Sequence, residues 1–381
     1  MTISFRRTHP VAAGLVAALA LAACGQNGPA AGSAASQASA TATTQPVRAL
    51  QACFGTAPAG WAGSQRASFP TTRFDPQAIA ASGDRAYGSY LMTAGEKGVA
   101  AVDLTSGALN RLVTVPAGSA GVGALAAAPP WLAWVQAAGQ GTFGPWTLEV
   151  RNLDTGEQTT VASGPAGVPH PEALAMRGAD LAWTQRTSPD LTVRAAEVHV
   201  IDLAAHRQSV LDPGAAGPPV FAGPYLVWTH ASADGMPVLQ AVAAETLLPA
   251  ALPEPLRAQT GISELAGSAA YLVWDTDNKH GTAWRIDRDQ LTTFTVDGQH
   301  QLQFFSVAGH FLLWYTPHPS GVVMDLDTGG GYDMPGLLAG SEGAIVQAAP
   351  LGASNPKSGA PGTTLLALAT PSLPAIPGCR R

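Results

Sequence analysis

Charge is scarce in this chain. Only 12% of the 381 residues are Asp, Glu, Lys or Arg, about half the ~25% of an ordinary globular protein. The basic side is the weaker one, with 20 Lys and Arg against 26 Asp and Glu and a formal net charge of −6. Nucleic-acid binding needs a clustered cationic footprint, so no nucleic-acid partner is expected. Long disorder is excluded as well, because low charge comes with 46% hydrophobic residues. Helical periodicity is missing. No apolar pattern at i, i+3, i+4 is sustained, and 42 Gly and 31 Pro interrupt the chain throughout. After residue 23 no apolar run approaches the ~18 residues that a membrane-spanning helix requires. Catalytic signatures are absent too: there is no G-x-S-x-G, H-E-x-x-H, Walker A or paired C-x-x-C, and no G-x-G-x-x-G follows a strand. No cofactor is expected.

What is present begins with an address. Arg6 and Arg7 precede an apolar run from Val11 to Ala23, too short to span a bilayer and of the length of a signal-peptide core. The run ends in Leu21-Ala22-Ala23-Cys24-Gly25. This resembles the bacterial lipoprotein signal, in which small residues precede a cysteine that is lipidated and becomes the new N-terminus. The resemblance implies that residues 1–23 are removed and that Cys24 carries lipid. It places the protein in the cell envelope, membrane-bound through that lipid, on the periplasmic or outer surface. Gly25 is not the Asp that marks inner-membrane retention, so an outer leaflet is the default in a diderm cell. Residues 24–47 follow as a flexible tether: after Cys24 they carry no charge and no aromatic, and cannot bury enough surface to offset their ordering entropy.

Residues 48–381 read as one repeating domain. Five segments match: WLAWVQ at 131, DLAWTQ at 180, YLVWTH at 225, YLVWDT at 271 and FLLWYT at 311. Each puts a Trp fourth, at Trp134, Trp183, Trp228, Trp274 and Trp314, with spacings of 49, 45, 46 and 40. A period in the forties built from short apolar runs is a propeller signature. Each Trp run is flanked by a shorter run before it and an alternating run after it, which closes on an Asp-rich or D-T-G turn. That pattern describes a four-stranded antiparallel blade. The fold class is therefore all-β, a single β-propeller of four-stranded blades, with seven the expected count and six the alternative. Over residues 78–370 the blade rhythm and D-x-x-T-G-type turns resemble TolB-like and WD-repeat propellers. The Gly-His…Trp-Asp and Trp-Ser-Pro-Asp-Gly signatures of those repeats are absent, so no functional residue is carried over.

A first blade is expected from Ala78 to Val115, with Tyr87 or Tyr90 near the Trp place. Gly343–Gln347 and Thr363–Ala369 read as two inner strands of a seventh blade, completed by strands from Ala52–Phe74. Closure of this kind removes open sheet edges. Once Cys24 is assigned to lipid, Cys53 and Cys379 remain, one near each end of the domain. In an exported chain they are expected to form a disulfide.

Few side chains are candidates for chemistry. The repeated Trp read as packing between blades. Asp103, Asp154, Asp202 and Asp327 sit at third-strand turns, where Asp caps its own turn. The best polar cluster follows the second strands of three successive blades: His230 and Asp234; Asp275, Asp277, Asn278 and His280; and His318. Propeller topology puts these loops on one face. Imidazole with carboxylate suits a transition metal, and Asp275-Thr276-Asp277-Asn278 begins like a Ca²⁺ loop, but Lys279 breaks the pattern. Equivalent loops of neighbouring blades lie on the order of 10 Å apart, so no tight metal site is expected and the face reads as a broad polar binding surface. The leading function is a non-catalytic envelope module that binds a protein or an envelope polymer. The alternative is an exported propeller enzyme, such as a lyase, hydrolase or quinoprotein-like dehydrogenase, which needs titratable groups converging in the channel.

Overall fold

The computed structural model describes residues 47–61, 63–116, 119–138, 143–189, 196–316, 320–350 and 362–379. The leader, Cys24, nearly all of the tether and His318 lie outside them.

Seven antiparallel sheets follow one another along the chain. Blade I comprises Thr72–Ile79, Arg85–Met92, Lys97–Asp103 and Leu109–Thr114. Blade II runs from Ser119–Ala128 to Gln158–Gly164, and blade III from Leu174–Arg177 to Arg207–Asp212. Blade IV has three strands, Val220–Ala222, Tyr225–Ala231 and Pro237–Ala243. Blade V runs from Glu264–Gly267 to Gln290–Thr295, blade VI from Ser306–Ala308 to Gly330–Pro335. Blade VII takes Leu337–Gly340, Ala344–Pro350 and Thr363–Ala369, and its outermost strand is Ser64–Phe69 from the other end of the domain. The first strands touch in the order I to VII and back to I, so they line a closed ring.

Burial explains which sequence makes which strand. Second strands have a neighbouring blade on both faces, so they read as unbroken apolar runs rather than alternating ones. Tyr225–Ala231 and Tyr271–Asp275 are examples. Fourth strands are edges, and they are polar and exposed, as in Gln158–Gly164 and Arg207–Asp212. Among the described residues the buried apolar side chains form seven clusters, one between each neighbouring pair of blades. Each repeated Trp belongs to the cluster that joins its blade to the preceding one. All five are at most 4% exposed. Tyr90 takes that place in blade I.

Blade IV lacks a fourth strand because Pro249, Pro253 and Pro255 follow its third, and proline cannot donate to a ladder. The edge is covered instead by a short helix, Glu254–Arg257, with Leu252, Leu256 and Ile262 buried beneath it.

Several sequence expectations shift. Blade I begins at Thr72 rather than Ala78. The C-terminal region supplies three strands of blade VII, and the N-terminal segment only the outermost. Before reaching that place, the N-terminal segment runs along two other blade edges. Arg48–Gln51 pairs parallel with the outer strand of blade V, and Cys53–Gly55 with that of blade VI. The Cys53–Cys379 disulfide is present, with Cα atoms 5.5 Å apart across 326 residues of sequence. It fastens the C-terminal tail to this belt at blade VI, one blade away from the closing sheet. Trp61 Nε1 donates to Pro374 O at 2.8 Å, and the Ile376 amide donates to the buried Asp325 Oδ2 at 3.1 Å.

The turn caps also move. Asp103 and Asp202 accept two amides each, as expected. In blade II Asn152 does this rather than Asp154, and in blade VI Asp325 rather than Asp327 caps the turn, accepting the Asp327 amide. Asp327 instead ties blades V and VI together, accepting from Tyr271 Oη and from Arg285 Nη1, each at 3.0 Å.

Candidate functional site

Antiparallel pairing sends every second-to-third-strand turn and every blade-to-blade connection to one end of the ring, the upper end. There the connections between blades II and III and between III and IV face the turn of blade IV and the segment that leads into blade V. They enclose a cavity of about 670 Å³.

Its floor is fixed by backbone. Ala216 N donates to Thr229 O at 2.7 Å, Ala215 N to Ala196 O at 3.0 Å, and Thr184 Oγ1 to Gly217 O at 3.0 Å. A Cβ on Gly217 would stand 2.6 Å from Thr229 Oγ1, so this connection passes close over blade IV only because the residue is glycine. Asp212, at the last position of blade III, anchors the same connection. It accepts from Gly214 N at 2.7 Å, Trp228 Nε1 at 2.6 Å and His230 Nδ1 at 2.8 Å. Burial pushes its carboxyl up, and these partners outweigh burial and hold it below the usual carboxylate range.

Arg186, at the end of the second strand of blade III, lines the cavity and is its only Arg or Lys among the described residues. Its Nη1 is shut away from solvent and meets no hydrogen-bond partner there. Glu172, exposed on the II–III connection, lines the opposite sequence segment. Among the described residues it forms no ion pair. Pro169, Pro218, Met236, Pro237 and Ile262 supply apolar surface. Of the hydroxyls, Thr184 is bound to Gly217, and Ser263 Oγ donates to Asp275 Oδ1 at 2.5 Å.

Beside the cavity lies a carboxylate pair. Asp275 is 1% exposed and also accepts the amides of Glu264 and Asn278, each at 3.0 Å. Glu264 accepts Phe304 N at 3.0 Å and Phe305 N at 3.1 Å, which pins the V–VI connection. Burial pushes the Glu264 carboxyl up to about 7, with the charge of Asp275 adding and the two amides opposing.

Those of the residues picked from sequence that are described lie at this upper end, and each is held within its own neighbourhood. His230 is held by Asp212. Asp234 accepts from Ser232 Oγ within the blade IV turn. Asp277 accepts His280 Nδ1 at 2.6 Å and the Lys279 and His280 amides, which lowers its carboxyl below the usual range, the His280 side chain leading. Asn278 takes the left-handed conformation, φ 62°, that this tight turn needs. Asp275 serves as an internal cap. His318 lies outside the described residues, among which no three His, Cys, Asp or Glu side chains gather as metal ligands. None of the described ones is among the residues that line the cavity. His170, Glu172, Arg186 and Met236, which do, were not singled out from sequence. Arg186 closes the run WTQR at the end of a core strand, and that position was the available signal.

The geometry defines a seven-bladed β-propeller with a cleft at its upper end. No family model matches the chain, and no curated protein matches it. Solved structures do. A prolyl endopeptidase structure superposes with a TM-score of 0.54 at 15% identity, over 82% of this chain and 49% of that one. The chain thus spans about half that protein's length. A chain of the mitotic checkpoint complex superposes with a TM-score of 0.50 at 12% identity, over 83% and 99% of the two chains. At these identities the likeness is one of fold alone.

Proposed function

We propose that this chain is an exported envelope protein, anchored by lipid on Cys24 through the tether 24–47, whose propeller is a non-catalytic binding module for a protein or an envelope polymer. The cleft between the upper loops of blades III and IV is where it takes hold of a segment of that partner. One observation carries this reading: Pro169, Pro218, Met236, Pro237 and Ile262 line a cavity of about 670 Å³ together with Arg186 and Glu172, while the hydroxyls of Thr184 and Ser263 are committed to Gly217 O and to Asp275. Concave pockets of this size that combine apolar walls with a few polar groups are where ligands are usually held. The disulfide supports export, since such bonds persist in oxidising compartments. The turns that carry Asp234 and Asp275 adjoin the cleft through Gly235 and Ser263, and they form the outer part of the same surface.

Met236 is 45% exposed and lines the cleft, so Met236→Trp fills it without touching the blade core. Native mass spectrometry after incubation with the peptide and glycan fraction of an envelope extract tests the reading. A bound species on the wild-type chain that is lost from Met236→Trp is the expected outcome. No bound species, or one that persists in the variant, contradicts it.

A further inference from the structure

The N-terminal belt shows what the outer rim of this ring can hold. Arg48–Gln51 adds to blade V as a parallel fifth strand, and Leu50, Ala52 and Phe54 pack on the apolar cluster between blades V and VI. In that cluster Tyr271, which opens the second strand of blade V, is 4% exposed. Blades II and III repeat the arrangement without a belt. Trp131 holds the place of Tyr271, and it stays only half-buried, as do Val161 and Ala162. A pocket of about 140 Å³ opens there, walled by Trp131, Val150, Val161, Ile201, Leu203 and His206. None of these residues lines the upper cleft. The outer strand of blade II, Gln158–Gly164, borders the pocket through Thr159 and Val161, and among the described residues no strand lies beyond it.

This pocket corresponds to the place that Leu50 takes at the other pair of blades. Leu50 lies against the third-to-fourth-strand turn of blade VI, where a Cβ on Gly329 would stand 3.6 Å from Leu50 Cβ. That turn is Asp325-Leu326-Asp327-Thr328-Gly329, and its counterpart in blade III is Asp202-Leu203-Ala204-Ala205-His206. Gly329 and His206 both take the left-handed conformation, at φ 78° and 53°, and Leu203, Ala204 and His206 all line the pocket. An apolar cavity of roughly 150 Å³ holds a group the size of benzene, so this one takes a single leucine or phenylalanine side chain. The unpaired strand edge beside it offers main-chain hydrogen bonds, and such edges accept an added strand. Together they fit an extended peptide, as the belt is. The peptide cannot run on to the next blade as the belt does. A Cβ on Gly329 would stand 2.7 Å from Gln51 O, and His206 carries a side chain at that place, so an added segment leaves the rim there.

We propose that the groove between blades II and III is a second docking site, which takes an extended segment of a partner protein as a parallel fifth strand on Gln158–Gly164, with one apolar side chain in the pocket. The belt supplies the probe, a fluorescent octapeptide with the sequence of residues 48–55 and Cys53→Ser. Its own place on blades V and VI is filled by the belt and locked by the disulfide. Added to the full chain, the peptide should bind saturably by fluorescence anisotropy, and hydrogen exchange should slow in Gln158–Gly164. Leu50→Ala in the peptide should weaken binding about tenfold or more, the effect of losing one buried leucine side chain. Methylating alternate peptide nitrogens, which removes donors from the ladder, should abolish it. These peptide variants leave the protein unchanged. Ala204 is exposed and lines the pocket, so Ala204→Trp in the protein fills the pocket from the turn and should also abolish binding. Absence of binding overturns the proposal, as does binding that Leu50→Ala or Ala204→Trp leaves unchanged. Slowed exchange at the upper cleft or along the belt, and not in Gln158–Gly164, overturns it too. A concentration-dependent dimer that the peptide dissociates gives the groove to a second copy of the chain and removes the partner protein.

Discussion

Polar residues at the upper end divide by what surrounds them, and residue type alone does not make the division. Asp275 and Asp212 are nearly buried and accept three hydrogen bonds each from their own neighbourhood, so they act as internal struts. Reading the sequence found the polar loops because His and Asp stand out among Ala, Gly and Pro. It missed Arg186 because one charged residue ending a strand looks like any solvated side chain. The cavity that it lines forms only when segments around 170, 186, 216 and 262 meet. Glu264 carries a pH prediction. Its folded pKa of about 7 lies above the ordinary 4.5, so the folded state holds its proton more tightly than the unfolded chain. Its contribution is therefore most favourable below pH ~4.5, declines as pH rises through about 7, and is level beyond. Glu264→Gln removes this dependence. The melting-temperature difference, wild type minus variant, should fall between pH 4.5 and 7.5 and then flatten. A difference independent of pH would show that Glu264 ionises normally.

At the scale of elements, legibility followed burial. The second strands were readable because a neighbouring blade on each face demands continuous apolar sequence, and the Trp at a fixed place in each marked the period. The first strands were harder. Val220–Ala222 and Ser306–Ala308 are three residues long and show no period. The belt was not legible. Arg48–Gln51 and Cys53–Gly55 are short edge strands, mostly exposed, and their parallel pairing with blades V and VI is set by where the chain must travel. The disulfide locks that belt to the C-terminal tail. Chain entropy for a 326-residue loop sets a ceiling of about 5–6 kcal/mol on its contribution. The double variant Cys53→Ser, Cys379→Ser should melt several degrees lower with an unchanged far-ultraviolet circular dichroism spectrum. This is because the Ser64–Phe69 pairing in blade VII remains. An unchanged melting temperature would mean that the belt is held by its hydrogen bonds alone.

On the whole-molecule scale, the ring is rigid where it is packed and carries its variable chemistry on one end. Seven interblade clusters hold the strands whose connections build the cleft. The intact mass of protein extracted from its own envelope should correspond to a chain beginning at lipid-modified Cys24 with one disulfide, and Cys24→Ala should appear soluble or unprocessed. An unmodified N-terminus at another position would remove the anchor. The distinction between binding and catalysis is tested most directly by the fate of the bound species. The species that native mass spectrometry finds bound from the envelope extract is eluted, returned in large excess to fresh protein, and its mass followed with time. Recovery of the compound unchanged, with one equivalent bound per chain, is the expected result. Conversion of more than one equivalent would contradict the binding-module account and establish an exported enzyme in its place.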